Sequence, residues 1–394
     1  MLCVFNEMAP HLGAFADAVR CPPSDTLCHR VHRLEPSLPL HVPFDSSTRN
    51  PCIVHSEGTS CLPAVHLLTG WQMLAEDAIL PWLEKHSDQI EMRGSPGCFN
   101  LWRNDGGLSW VKAWPAVADS RLHLTVDCAA KLLTWHPEYA GRYWFAAVDA
   151  YEECRHSNAT SAGSHSCDIL RAHNQTIGTE GTGHEATPPF VLRALYGRQH
   201  VKIVLTLRNP VDRLETAFWF HKQFWSAKSP TSAGMHAYAV EQVEAFHKCA
   251  TAHGPRRCAF LFERLGAEQA TVFWHCNHLI RGLYWPFVAE WAAAFGDGRG
   301  MHVLRVEDLL DEPQLAGRKL SDFLGLAASA VPLPTLRSYA SAHAASLNVS
   351  CCGGGRGPPE PMLVATRELL RNFYSPFNVQ LARLLREPAF ERWA

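Results

Sequence analysis

An apolar run that passes directly into a helical pattern is the feature of this chain that most constrains its fold. Residues 201–207 read VKIVLTL, a run of mainly apolar and β-branched side chains. Such runs are typical of strands buried within a parallel sheet, which is covered by helices on both faces. Helical spacing begins at Leu214. The pair predicts a strand–helix unit of an α/β fold, with a central parallel sheet flanked by helices on both faces.

Similar units occur elsewhere in the chain. The apolar residues 52–54 lead into the polar stretch HSEGTS and then into helical spacing, which predicts a strand, a tight turn and a helix. Residues 301–310 predict another strand with a polar end. Residues 366–385 predict two short helices separated at Pro376, because proline disfavours the interior of a helix.

The 394 residues predict one large domain rather than several. Residues 1–48 are irregular in pattern and predict an N-terminal extension, so the domain spans 49–394, with a polar surface insertion at about 139–187. Hydrophobic residues make up 47% of the chain, which is enough for a sizeable core. The net charge of −2 argues against nucleic acid as the main partner, so any anion site must be local.

The cysteines and glycosylation sequons concern the cellular compartment. The chain has 14 cysteines, and sequons occur at Asn158, Asn174 and Asn348. Disulfides persist, and sequons can be glycosylated, when a chain enters a secretory lumen. The alternative is that the cysteines are buried thiols and that the three sequons arise by chance. No paired CxxC spacing predicts zinc. No clear leader or membrane-spanning stretch is visible, so we expect no membrane anchor within this chain.

Two predicted turns carry residues that suit anion binding. The first comprises Ser56, Glu57, Gly58, Thr59 and Ser60. Its glycine allows close backbone approach, and its amides and hydroxyls can donate to phosphate oxygens. It lacks the lysine and spacing of a nucleoside-triphosphate loop. A simple helix cap is the structural alternative.

The second turn follows the strand at 201–207. Arg208 ends that strand, and Thr216 lies about two helical turns farther along the chain. A guanidinium and a hydroxyl in this arrangement can bind one phosphate together. The alternative is a structural salt bridge from Arg208 to Asp212 or Glu215.

These residues carry a resemblance to a known family. LRNPVDRLETAFWFH resembles the 3′-phosphate-binding motif of the sulfotransferases, and IVHSEGTSCL is similar to their 5′-phosphosulfate loop. Further segments, GLSW, GLYWPFVAEWAAAFG, LRVEDLLDEP and TRELLRNFYSPFN, resemble later family motifs in the same order. The resemblance covers roughly residues 50–393 and is nearest in style to the carbohydrate sulfotransferases of the heparan and chondroitin type.

The resemblance implies a P-loop-like α/β fold and the donor 3′-phosphoadenosine-5′-phosphosulfate (PAPS), without a metal. The acceptor would be a hydroxyl or amine, on a glycan or a small molecule. We therefore expect a disulfide-containing glycoprotein of the Golgi lumen or secretory pathway, and otherwise a cytoplasmic protein. By position, the donor-binding residues are Arg208 and Thr216 for the 3′-phosphate, residues 56–60 for the 5′-phosphosulfate, and Arg356 and Gly357 in a closing glycine loop.

One departure from the family concerns the lysine that stabilises the leaving phosphate. Its position in the first loop is occupied by Ser56. Lys131, Lys112 or His55 could substitute for it. Otherwise the chain is a weak or inactive relative that binds a nucleotide or a glycan.

The catalytic base is the other open assignment. Glu91 is the nearest match to the family's glutamate, with Glu84 and Asp88 as rivals. A further acidic family motif has two matches here, Asp127 after GLSW and the segment containing Glu185, and both remain open.

Overall fold

The computed structural model describes residues 48–55, 58–69, 76–93, 121–127, 201–220, 228–261, 278–296, 300–327 and 360–393, together with four residues between 189 and 196. The predicted N-terminal extension, apart from Thr48, and the predicted insertion at about 139–187 lie outside the described residues.

Seven strands occur in these residues: β1 Cys52–His55, β2 Gly58–Cys61, β3 Val65–Leu68, β4 Ile90–Arg93, β5 Leu122–Asp127, β6 Lys202–Leu207 and β7 Met301–Arg305. The helices are α1 Glu76–Glu84, α2 Pro210–Phe220, α3 Ser232–His253, α4 Pro255–Leu261, α5 Tyr284–Phe295, α6 Val306–Asp311, α7 Pro313–Leu324 and α8 Val364–Leu385. A 3₁₀ helix, Pro388–Trp393, ends the described part of the chain.

Five strands form one sheet in the order β4-β5-β3-β6-β7, and every pair in it is parallel. The strand predicted at 201–207 is confirmed as β6. Successive side chains of a strand point to opposite faces, and Ile203, Val204 and Leu205 are all at most 1% exposed. Both faces of the sheet are therefore covered at β6, and the predicted α/β class is confirmed.

Residues 52–61 form a two-stranded antiparallel hairpin, β1 with β2, that is separate from the five-stranded sheet. A disulfide joins Cys52 to Cys61 across its base. The predicted strand at 52–54 is confirmed as β1. The predicted turn through residue 60 and the helix directly after it are wrong, because Gly58, Thr59 and Ser60 lie in a second strand and the helix α1 begins only at Glu76. The strand that joins the sheet is β3, three residues after Cys61.

The C-terminal residues form one helix, α8, rather than the two predicted segments, although Pro376 lies inside it. Proline removes one backbone hydrogen bond and crowds the preceding turn. Burial of Leu370, Phe373, Tyr374 and Leu381 in the core holds the helix together across this defect. No described helix is both long and apolar enough to cross a membrane.

A second disulfide joins Cys249 in α3 to Cys258 in α4, and both cysteines are fully buried. The bridge spans Gly254, whose positive φ of 83° lets the chain turn between the two helices. The expectation of disulfides is thus confirmed for four cysteines. The cysteines at 154, 167, 351 and 352 lie outside the described residues.

Replacing Cys249 and Cys258 together by alanine should lower the free energy of unfolding by about 2–4 kcal/mol, because the cross-link restricts the unfolded chain. Urea denaturation of the oxidised protein and the variant measures this difference. Equal stability of the two proteins would show that this bridge contributes nothing to the folded state.

His66 in β3 should make stability depend on pH. Its ring nitrogens lie 2.9 Å from the Tyr196 hydroxyl and 2.9 Å from Thr125 Oγ1. Burial lowers the pKa of His66 from 6.5 to about 3. Between pH 3 and pH 6.5, His66 binds a proton in the unfolded chain but not in the folded chain. The contribution of neutral His66 to the free energy of unfolding is therefore complete above pH 6.5 and is lost as the pH falls toward 3.

His66→Gln should remove this dependence, reducing the slope of unfolding free energy against pH by at most about 1.4 kcal/mol per pH unit between pH 4 and 6. Urea titrations at several pH values measure both slopes. Identical slopes would mean that His66 is not the neutral buried group described above.

Candidate functional site

The carboxyl edge of the parallel sheet carries the candidate site. β6 ends at Leu207, and α2 begins three residues later at Pro210. Neighbouring β7 ends at Arg305, and α6 begins at the next residue. Ligands of open α/β sheets bind at this edge, where strands open into helix N-termini.

Arg208 is the central side chain of this edge and is fully buried. Its Nη1 donates to Thr216 Oγ1 over 3.2 Å. The Thr216 hydroxyl in turn donates to the carbonyl oxygen of Asp212, one helical turn earlier, over 3.1 Å. The structure therefore brings together the two residues that the sequence paired.

The two carboxylates of this motif bind a different arginine. Asp212 Oδ1 lies 2.8 Å from Arg367 Nη1, and Glu215 Oε2 lies 3.4 Å from Arg367 Nη2. The N–H of Met362 donates to Glu215 Oε1 over 3.2 Å. Arg367, on the C-terminal helix α8, thus accounts for the carboxylates that the sequence left as alternative partners of Arg208.

The peptide group between Arg208 and Asn209 is held at both ends. The Tyr284 hydroxyl donates to the carbonyl oxygen of Arg208 over 2.9 Å. The N–H of Asn209 donates to Glu307 Oε1 over 2.9 Å. The Asn209 side chain then accepts from the N–H of Val211 over 3.0 Å at the start of α2.

Burial changes the acid–base behaviour of both side chains that hold this peptide. Burial raises the pKa of Glu307 to about 7. The Asn209 amide, Arg305 and Arg208 each lower this pKa, but their effects are smaller than that of burial. Burial also raises the pKa of Tyr284 to about 12. The tyrosine hydroxyl therefore stays protonated and able to donate at neutral pH.

Glu91, the predicted catalytic base, lies far from this edge. Its carboxylate binds Arg121 over 2.7 Å and lies 3.8 Å from His123 Nε2. The pairing registers place Glu91 at the level of Val201, seven residues before Arg208. Seven residues span roughly 23 Å along a strand. The rivals Glu84 and Asp88 precede β4 and lie toward the same amino-terminal edge.

The base of the hairpin at 52–61 also lies at the amino-terminal edge. Leu62 N–H donates to Pro51 O across this base. The Asn50 side chain binds the backbone of Arg121 and His123, where β5 begins. The base of the hairpin therefore lies at the opposite edge of the sheet from Arg208, while Ser56 and Glu57 lie outside the described residues, so the assignment of residues 56–60 to the donor stays a prediction. Parallel pairing instead puts β3 in the centre of the sheet, and its last residue, Leu68, pairs with Leu205 of β6.

Several predicted site residues cannot be placed. Ser56, Glu57, Lys112, Lys131, Glu185, Arg356 and Gly357 lie outside the described residues, and no side chain is described for His55, Gly58, Thr59, Ser60 or Asp127. The backbone of Asp127 ends β5 and pairs with Leu68 at the carboxyl end of β3. Among the described residues, no group of three or more His, Cys, Asp or Glu side chains could hold a metal ion.

The sequence did not indicate the roles of Tyr284, Glu307 and Arg367. Glu307 was visible only as part of the polar end of a strand, and Arg367 only as part of an amphipathic helix. Each makes its contact with the motif from a distant part of the chain. Spacing within one segment carries no signal for such contacts.

Comparisons with known proteins show which family this chain resembles. The family model described as a sulfotransferase domain matches residues 186–348, which include Arg208, Thr216, Tyr284 and Glu307 but not the hairpin. The match begins within the segment that follows Glu185.

Three curated relatives are carbohydrate sulfotransferase 15 of human, mouse and rat. Each is 24% identical over 212 residues, which cover 52% of this chain and 34% of the relative. The matched part thus spans about a third of the relatives' length.

A solved sulfotransferase from Alicyclobacillus acidocaldarius aligns with 84% of this chain and 100% of its own, at a TM-score of 0.42 and 15% identity. The family match includes the motif that surrounds Arg208, and the three curated relatives are carbohydrate sulfotransferases. The resemblance of this chain to the carbohydrate-type sulfotransferases is therefore confirmed.

Proposed function

We propose that this protein transfers a sulfuryl group from PAPS to a hydroxyl or amine of a glycan. The observation that carries the proposal is the buried Arg208–Thr216 pair at the carboxyl edge of the sheet. A guanidinium can bind a phosphate through two parallel N–H groups, and a neighbouring hydroxyl can add a third donor. This pair would hold the 3′-phosphate that distinguishes PAPS from other adenine nucleotides.

Arg356 is proposed to complete the 3′-phosphate site, because the chain just after it is fixed beside α2. Glu360 Oε2 accepts from the N–H of Ser232 over 2.7 Å, and the Ser232 hydroxyl donates to Pro361 O over 2.6 Å. Met362 binds Glu215, the residue before Thr216. Four residues span at most about 14 Å, which limits how far Arg356 can be from Glu360.

The 5′-phosphosulfate is proposed to bind at the connection 69–75, TGWQMLA, in place of residues 56–60. This connection follows the central strand β3 and precedes the helix α1. Backbone amides at such strand-to-helix connections are suited to bind phosphate groups. Residue 70 is a glycine, which allows a ligand to approach the backbone closely.

Sulfuryl transfer is an in-line displacement in which negative charge builds on the leaving phosphate. A cation near that oxygen stabilises the transition state. Lys131 is proposed for this role, because it follows Asp127, the carboxyl end of β5 beside β3, by four residues. Asp127 itself is proposed as the base in place of Glu91, since its backbone lies at the correct edge.

The alternative function is binding of the nucleotide or glycan without transfer. One observation favours it: neither residues 56–60 nor residues 69–75 contain a lysine. A protein of this kind would keep the 3′-phosphate site and lack the cation that assists the leaving group.

The proposed compartment is the Golgi lumen or another part of the secretory pathway. The disulfides Cys52–Cys61 and Cys249–Cys258 support an oxidising environment. The sequons at Asn158, Asn174 and Asn348 would then be available for glycosylation.

Arg208→Ala should weaken binding of adenosine 3′,5′-bisphosphate by about 100-fold, because a charge-assisted pair of hydrogen bonds is lost. Thr216→Val should weaken it by about 3- to 10-fold through loss of one hydroxyl. Titration calorimetry measures both, with thermal melting to verify that the variants are folded.

Thr251→Val is the matched control for Thr216→Val. The Thr251 hydroxyl also donates to the carbonyl four residues earlier, that of His247, but Thr251 is an exposed residue near the end of α3. The control should bind like the unmodified protein. Unchanged affinity in folded Arg208→Ala would exclude this placement of the 3′-phosphate.

Incubation with ³⁵S-labelled PAPS and a panel of glycans should give labelled product, and Lys131→Met should lower kcat by about 100-fold or more. Lys85→Met, at the opposite edge just after α1, is the control and should retain turnover. Binding of adenosine 3′,5′-bisphosphate without transfer to any acceptor would favour the non-catalytic alternative.

A further inference from the structure

We propose that Tyr284 and Glu307 are positioning residues that clamp the peptide group between Arg208 and Asn209, and thereby give the site its preference for a 3′-phosphate. The inference rests on the proposed function, since it assigns that phosphate to Arg208. It concerns two residues that do not themselves need to touch the donor.

The two hydrogen bonds act on one rigid unit. The carbonyl oxygen of Arg208 and the N–H of Asn209 belong to the same planar peptide group. Tyr284 donates to its oxygen and Glu307 accepts from its nitrogen, each over 2.9 Å. Rotation of this peptide would break both bonds, so its orientation is fixed, and with it the direction in which the Arg208 side chain leaves the backbone.

The Glu307 bond continues the pairing of two strands beyond their ends. β6 and β7 pair up to Leu207 with Arg305. Asn209 and Glu307 each lie two residues after this last pair. The chains diverge here into α2 and α6, and a side-chain oxygen takes the place of the backbone carbonyl that no longer faces Asn209.

Both clamping side chains come from firmly packed elements. Tyr284 is the first residue of α5, is 1% exposed, and its ring lies 6.0 Å from that of Trp393. Glu307 lies in the first turn of α6, directly after β7. Its second oxygen, Oε2, is buried and accepts from no donor among the described residues.

Burial of the Glu307 side chain destabilises the folded state, and its hydrogen bond to the Asn209 amide offsets part of that cost. Burying a charged or polar atom without a hydrogen bond destabilises the folded state. Burial raises the pKa of Glu307 to about 7, which reflects this cost. The Asn209 amide, Arg305 and Arg208 each act against this rise in pKa, and the hydrogen bond to Asn209 is the contact that a glutamine at this position would keep.

The test compares adenosine 3′,5′-bisphosphate with adenosine 5′-phosphate, which lacks the 3′-phosphate. Titration calorimetry gives the ratio of the two affinities for each protein. Tyr284→Phe and Glu307→Met each remove one bond of the clamp. Each should reduce the ratio by about 3- to 10-fold while leaving the affinity for adenosine 5′-phosphate nearly unchanged.

Two controls separate positioning from general damage. Glu307→Gln keeps an acceptor for Asn209 and should retain most of the ratio. Tyr196→Phe also removes a buried hydroxyl, one that lies 2.9 Å from His66 Nε2 and makes no contact with the clamp, and should leave the ratio unchanged.

Each outcome decides a separate point. A reduced ratio in Tyr284→Phe and Glu307→Met, with the controls unaffected, supports the clamp. An unchanged ratio in both folded variants, or an equal loss for both ligands, overturns the clamp and leaves the proposed function standing. An unmodified protein that shows no preference for the 3′-phosphate overturns the proposed function and the clamp together.

Discussion

The fully buried guanidinium of Arg208 is the constraint on which the rest of the site depends. A buried charge destabilises a fold unless hydrogen bonds and opposite charges compensate for it. Here Thr216 accepts from Arg208, and the carboxylate of Glu307 lies within its electrostatic reach. A guanidinium at this edge of the sheet has the N–H groups that the proposed 3′-phosphate would need.

The C-terminal helix links this site to the remainder of the protein. Arg367 of α8 binds Asp212 and Glu215 of α2, while Tyr374 of the same helix binds the backbone at Leu279. Leu279 lies shortly before Tyr284 in the chain. α8 thus braces both the helix that carries Thr216 and the segment that carries the clamping tyrosine.

The sequence predicted well what one local segment determines. β6, α2 and the Arg208–Thr216 contact all lie within residues 201–220, and the helical period alone puts Thr216 within reach of Arg208.

The sequence predicted poorly what depends on pairing between segments. Residues 52–61 resemble a strand and a loop, but pairing of the two strands and a disulfide make them a hairpin. Glu91 lies at the opposite edge of the sheet from Arg208, and its spacing in the sequence does not reveal the strand register that puts it there. Pro376 is tolerated because its helix is held by tertiary packing.

A crystal structure of the protein with adenosine 3′,5′-bisphosphate tests most directly whether this edge of the sheet binds the donor. We expect the 3′-phosphate to lie within about 3 Å of the Arg208 guanidinium and the Thr216 hydroxyl, with the 5′-phosphate beside residues 69–75. A nucleotide bound at the hairpin of residues 52–61, with Arg208 still buried and out of contact, would contradict the assignment.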